Sequence, residues 1–174
     1  MGLQFPNLDE DTRSCMLTEI EHDESSGKLY ISNRLNYSGR ERWAEILKSA
    51  AQHHNDDWLA QQLRSLHLLE TSEPRRLKSG AYTTASVPTT AAQTLAEGEF
   101  NRFYIRAICL RAISTGQTVV VYRAKMVDNP RAESESKIGL QMDPAVLVED
   151  LRSSSGFKTS SGFPGPNSGL SVHL

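Results

Sequence analysis

The apolar positions of this chain wrap nearly all the way round one segment and keep to a single side of several others. From Phe100 to Ile113, the residues Phe100, Phe103, Tyr104, Ile105, Ala107, Ile108, Cys109, Leu110, Ala112 and Ile113 cover almost the whole circumference of a helix projected at about 100° per residue. A helix that is apolar on every side belongs inside a protein. Thr90 followed by Gln93 has capping-box spacing at its start, and Gly116 stands where a left-handed residue closes a helix. Unbroken, such a helix would be about 37 Å long. Gly98 costs about 1 kcal/mol relative to alanine, so a kink or break is expected there. Three charges, Glu99, Arg102 and Arg106, fall on one narrow stripe, with Arg111 opposite. After Gly116 the period changes to two. Val120, Tyr122, Ala124 and Met126 then alternate with Val119, Val121, Arg123 and Lys125, which predicts a strand with one face suited to a core and another that turns basic.

The flanking pattern fills in the rest. Cys15–Glu21 and Lys28–Ser32, joined by the turn-rich run 23–27, predict a β-hairpin. Ser38 and Glu41 form a second capping box, ahead of Trp43, Ile46, Leu47, Ala50 and Ala51 at helical spacing. A further helix from about Asp57 turns Trp58, Leu59, Leu63, Leu66 and Leu69 inward. Residues 71–80, with Pro74, Arg75, Arg76 and Lys78, read as a polar and basic loop, and Ala81–Val87 as a short strand. Asp143 followed by Pro144 is a helix start, with Leu147, Val148 and Leu151 to bury. Serine, glycine and proline dominate from Ser153 onward, although Gly169–Leu174 alternates weakly, as an edge strand would.

These elements predict an α+β fold, a small and mostly antiparallel sheet packed with helices around a central buried helix. The expected organisation is a mobile N-terminal arm over residues 1–14, one domain over 15–152 and a Ser/Gly/Pro-rich tail over 153–174. A chain of 174 residues is long enough to bury a core of its own. Its net charge of −2 excludes a protein that coats nucleic acid by bulk charge, while a local basic patch stays compatible with it. Cys15 and Cys109 suggest no disulfide framework, so a reducing compartment, the cytoplasm, is expected, or association with a virion if the chain is phage-encoded. The N-terminal residues have neither the basic nor the apolar region of a secretory signal, and no apolar run reaches the ~20 residues that cross a bilayer, so no membrane partner is expected.

Candidate chemistry is sparse. If the central helix packs on the following strand, Arg102, Arg106, Arg123, Lys125 and Arg131 form one basic face for phosphate or an acidic partner. The competing reading, which is favoured, leaves the arginine stripe ion-paired and structural, with Arg102 beside Glu99. His53, His54 and Asp56 are the raw material of a metal site, but no second pair has ligand spacing, and a polar loop between helices is the better reading. Lys125 stands where some metal nucleases keep a lysine, yet Arg123 occupies the place of the required acid. Cys109, set in an apolar helix, reads as packing. No phosphate-binding or dinucleotide loop is present, and no cofactor is expected.

The runs Glu99–Arg106, Val121–Lys125, Asn129–Ser134 and Gly165–Val172 resemble a family of small uncharacterised bacterial proteins found with phage or prophage genes. The resemblance carries no named activity and implies a structural or interaction role. The expected function is therefore non-enzymatic, in a protein that binds a protein partner or its own copies within a larger assembly. The alternative is a nucleic-acid-binding protein or small nuclease that uses the basic face.

Overall fold

Helix α4 (Ala91–Thr115) runs through the middle of the computed structural model, which describes residues 2–154, 159, 160, 162–165 and 167–174. Before it come α1 (Glu10–Ser25), α2 (Tyr37–His53), α3 (Asp56–Ser65) and the strands β1 (Ser72–Arg76) and β2 (Tyr82–Ser86). After it come β3 (Val119–Arg123), α5 (Ala132–Glu135), β4 (Gln141–Met142), α6 (Pro144–Ser153) and β5 (Leu170–His173). The fold is α+β with a central helix, as the apolar circumference implied. Helices α1, α3 and α6 pack around α4, and β3 and β5 touch it. Every residue from Glu99 to Cys109 is buried, including two arginines, an asparagine and Glu99 itself.

Helix α4 ends as expected, at Gly116 in the left-handed conformation with φ 67°, but it differs in two other respects. It continues through Gly98 without a break, because packing on three helices outweighs the roughly 1 kcal/mol that glycine costs. Thr90 makes no side-chain cap. The Gln93 amide instead donates to Glu97 and Asp57 at 2.8 and 3.2 Å and accepts from Arg64 at 2.9 Å. Helix α2 likewise starts earlier than Ser38 suggested, capped by Asn36, whose side chain accepts from Gly39 N–H at 2.8 Å. At α6 the reading holds: Asp143 accepts from Ala145 and Val146 N–H ahead of Pro144.

Of the expected N-terminal hairpin, Cys15–Glu21 lies within helix α1 and Lys28–Ser32 is irregular. Asp9 caps α1 by accepting from Thr12 N–H, and Thr12, Met16, Glu19, Ile20 and Asp23 are buried at helical spacing. Three of those five are polar, so the inward stripe of α1 has no apolar period to read. The residues expected to form an arm lie against the body. Leu3 is buried, Gln4 N–H donates to Ala124 C=O at 2.8 Å, and the Phe5 ring sits 5.1 Å from Phe100 and 4.6 Å from Tyr104.

Strands β4, β3 and β5 form a three-stranded antiparallel sheet in that order, with Val119 opposite Met142 and Val121 opposite Val172. Val119, Val121, Leu170 and Val172 face the core, so β3 buries the face whose end turns basic and leaves Val120 and Tyr122 half-buried. The end of the expected tail is thus a sheet edge, and Phe163 is buried as well. Residues 155–158, 161 and 166 of that tail lie outside the described residues. Strands β1 and β2 pair only with each other, from Ser72↔Ser86 to Arg76↔Tyr82. Residues 71–76 therefore differ from the loop expected there, since the cross-strand ladder supplies order that their composition does not advertise. Among the described residues, no helix is long and apolar enough to cross a membrane.

Candidate functional site

The two central arginines of the expected basic face point into the protein. Arg106 is fully buried between α4 and α1: its Nε donates to Glu19 at 2.7 Å, and its two terminal nitrogens donate to Asp23 at 2.6 and 3.0 Å. The Phe103 ring lies 4.9 Å from the guanidinium carbon. Glu19 also accepts from Arg152 of α6 at 2.6 and 3.0 Å, so one carboxylate ties three helices together. Burial alone would raise the Glu19 pKa, but the hydrogen bonds from Arg152 and the charge of Arg106 reverse it, and the group titrates below its ordinary range.

Arg102, one turn earlier, closes the C-terminal end of α6. Its guanidinium donates to Leu151 C=O at 2.7 Å, to Ser154 C=O and to Ser154 Oγ at 3.0 Å, satisfying carbonyls that a helix end leaves without partners. Glu99, expected to pair with Arg102, is buried with one carboxylate oxygen lacking a hydrogen bond among the described residues. Desolvation pushes its pKa up to about 7 against the pull of Arg102.

The remaining members of that face are spoken for or apart. Arg123 donates to Ser168 C=O at 2.8 Å and pairs with Glu135, Lys125 pairs with Glu97, and Arg131 is exposed just ahead of α5. The five cations therefore do not form one solvent-facing surface: two are interior and two are neutralised by neighbouring acids. Lys125, the residue considered for a nuclease lysine, has its ammonium on Glu97.

His53, His54 and Asp56 occupy the α2–α3 junction without converging. His53 is exposed, His54 stacks on Trp58 with ring centres 4.1 Å apart, and buried Asp56 accepts from Leu3 N–H at 2.8 Å. Burial lifts the Asp56 pKa to about 6. Among the described residues, no group of three or more His, Cys, Asp or Glu side chains is gathered to hold a metal ion. Cys109 is buried, and desolvation pushes its thiol up to about 12, which suits packing rather than nucleophilic chemistry. A cleft beside Asn101, Arg102, Leu151 and Leu170 offers about 40 Å³, room for a few waters, while a wider and more open hollow of about 530 Å³ lies beside Cys15, Arg111 and Leu174 and gathers no constellation of catalytic side chains.

What remains is the β1–β2 hairpin, which the sequence reading treated as a loop and a strand. Only its base is tied down: Arg34 grips Glu73 through two hydrogen bonds of 2.6 and 2.8 Å, Glu70 N–H donates to Arg34 C=O, and Val87 N–H donates to Thr71 C=O. Beyond Glu73 all residues up to Thr84 are exposed, with Tyr82 at 71%. The tip closes through Leu77, whose C=O accepts from Gly80 N–H at 3.0 Å, with Gly80 at φ 88°. Arg76 and Lys78 make no hydrogen bond or ion pair among the described residues, and Arg75 meets Glu73 only through the field of its charge. The signal for this site was present as the basic run Arg75, Arg76, Lys78, but not the ladder that stiffens it. Comparisons with protein-family models, with curated proteins and with solved structures find no match for the chain.

Proposed function

We propose that this is a non-enzymatic, partner-binding protein whose helical body serves to present the β1–β2 ribbon. The observation that supports it is a two-stranded ribbon that pairs with no other strand among the described residues and whose outer residues are exposed on both faces. An isolated two-stranded ribbon is marginally stable in water, and the bracing of its base by Arg34 offsets that cost for a segment that buries almost nothing. Such an arrangement gives the body no stability to speak of and gives a partner a great deal of backbone and side chain to hold. Membership of a larger assembly, which the resemblance to phage-associated proteins implies, belongs to the same reading.

The test replaces residues 77–81 and the strand ends beside them with a two-residue Asn-Gly turn and compares the shortened and intact chains. In affinity capture from the producing cell, the intact chain retains a protein or nucleic acid that the shortened chain releases, with both melting alike. Identical captures from the two chains, or a rigid monomer with no associate, would contradict the proposal.

A further inference from the structure

We infer that the ribbon is a tip-first reader of the DNA duplex, its cations set against the two phosphate backbones that flank a groove. The inference rests on the partner-binding reading above and names the partner's chemistry. Side chains alternate across a strand, so Arg75 and Arg76 leave opposite faces of β1, and Lys78 stands at the tip between them. The cross-strand register places Thr83 opposite Arg75 and Tyr82 opposite Arg76, with Thr84 opposite Pro74 and Ser86 opposite Ser72. Arginine, lysine, serine, threonine and tyrosine are the side chains that bind phosphate and sugar in protein–DNA interfaces.

Three properties select the duplex over other partners. A protein interface has an apolar centre and few lysines, whereas the exposed part of this ribbon offers only Leu77 and Tyr82 as large apolar groups among three cations. Single strands are held by stacking successive bases on aromatic rings, and Tyr82 is the one ring on the ribbon. The major groove of B-DNA, about 12 Å wide, admits a two-stranded ribbon, and that of A-form RNA is too narrow. Cations on both faces suit a slot walled by phosphate on each side. The chain's net charge of −2 is compatible with a local basic patch of this kind, and the acids Glu19, Asp23, Glu97 and Glu135 are held by cations away from the ribbon.

The experiment is fluorescence anisotropy of a labelled duplex of about 20 bp titrated with the full chain at several salt concentrations, beginning near 50 mM. The comparison variants are Arg75→Gln/Arg76→Gln/Lys78→Gln and the conservative Arg75→Lys/Arg76→Lys, with circular dichroism melts confirming that both fold. The expected result is binding that the neutralised variant loses by tenfold or more. Its log–log salt slope shrinks by about 2 to 3, since each phosphate contact contributes about 0.9, and the lysine variant keeps the wild-type slope. No binding by the wild-type chain near 50 mM salt would overturn the inference, as would equal binding by the neutralised variant. Tighter binding of a single strand of the same length, or of polyglutamate, would also overturn it. Should duplex binding fail while shortening the ribbon still releases a protein partner, the DNA inference falls and the partner-binding reading stands. If shortening releases nothing, both fall.

Discussion

Arg106 and Arg76 carry the same guanidinium and meet opposite fates. In the centre of the molecule the charge is consumed: Arg106 has every near neighbour it can use, two carboxylates and an aromatic ring, and no contact with solvent. On the ribbon the charge is left over, with no hydrogen bond or ion pair among the described residues. The difference teaches that a cation's neighbours in sequence say little about its use. What decides is whether an acid arrives from another element. Glu19 and Asp23 come to Arg106 from more than 80 residues away, whereas the acid that acts on Arg75 is Glu73 of the same strand.

Breaking the central cluster should have the largest effect. Arg106→Ala strands buried Asp23 and leaves buried Glu19 to Arg152 alone, and should lower the unfolding free energy by about 3 to 5 kcal/mol in urea denaturation. Replacing the group as a whole, with Arg106→Met, Glu19→Leu and Asp23→Leu, should restore most of that loss, because the favourable contacts and the desolvation cost leave together. A triple variant no more stable than Arg106→Ala would mean that the cluster, and not merely its pairing, holds the fold.

The next effect separates the ion-paired from the unpaired buried acids. Glu99 keeps its proton in the folded protein up to about pH 7, while the unfolded chain ionises near 4.5. Its contribution to stability is therefore complete below about pH 4.5 and is lost as pH rises through 7. Glu99→Gln should match the wild type at pH 4 and exceed it by up to about 3 kcal/mol at pH 8, read from urea midpoints. Parallel pH profiles for the two proteins would show that the carboxylate is hydrated or paired after all.

Smaller changes follow at the periphery. Asp143→Ala removes the cap that α6 depends on and should cost about 1 kcal/mol. Arg76→Ala with Lys78→Ala should alter stability by less than about 0.5 kcal/mol, since neither side chain touches the body. A ribbon variant that destabilised the protein as much as the cap variant would erase the contrast between the two regions.

The parts of the fold that could be read from the sequence are those with a local cause. Helix α4 declares itself through its apolar circumference and Gly116, α6 through Asp143 and Pro144, and β3 through its alternation. Helix α1 was hidden for the reason that makes it useful, because its inward face carries Thr12, Glu19 and Asp23 to serve an arginine far along the chain. The favoured reading of the arginine stripe, ion-paired and structural, holds for Arg106, but its partners could not be read for the same reason. The stripe on α4 was placed correctly relative to the helix, but whether that stripe met water or carboxylates depended on α1 and α6. Strand β1 was missed because Glu73, Pro74, Arg75 and Arg76 have no strand propensity and take their order from pairing with β2.

The central claim, that the interior arginines build the body and the ribbon does the binding, is tested most directly by the thermal melt and the duplex titration of the ribbon-shortened chain taken together. The account predicts a cooperative transition within a few degrees of wild type and binding reduced at least tenfold. A shortened chain that no longer folds, or one that binds as tightly as the intact protein, would contradict it.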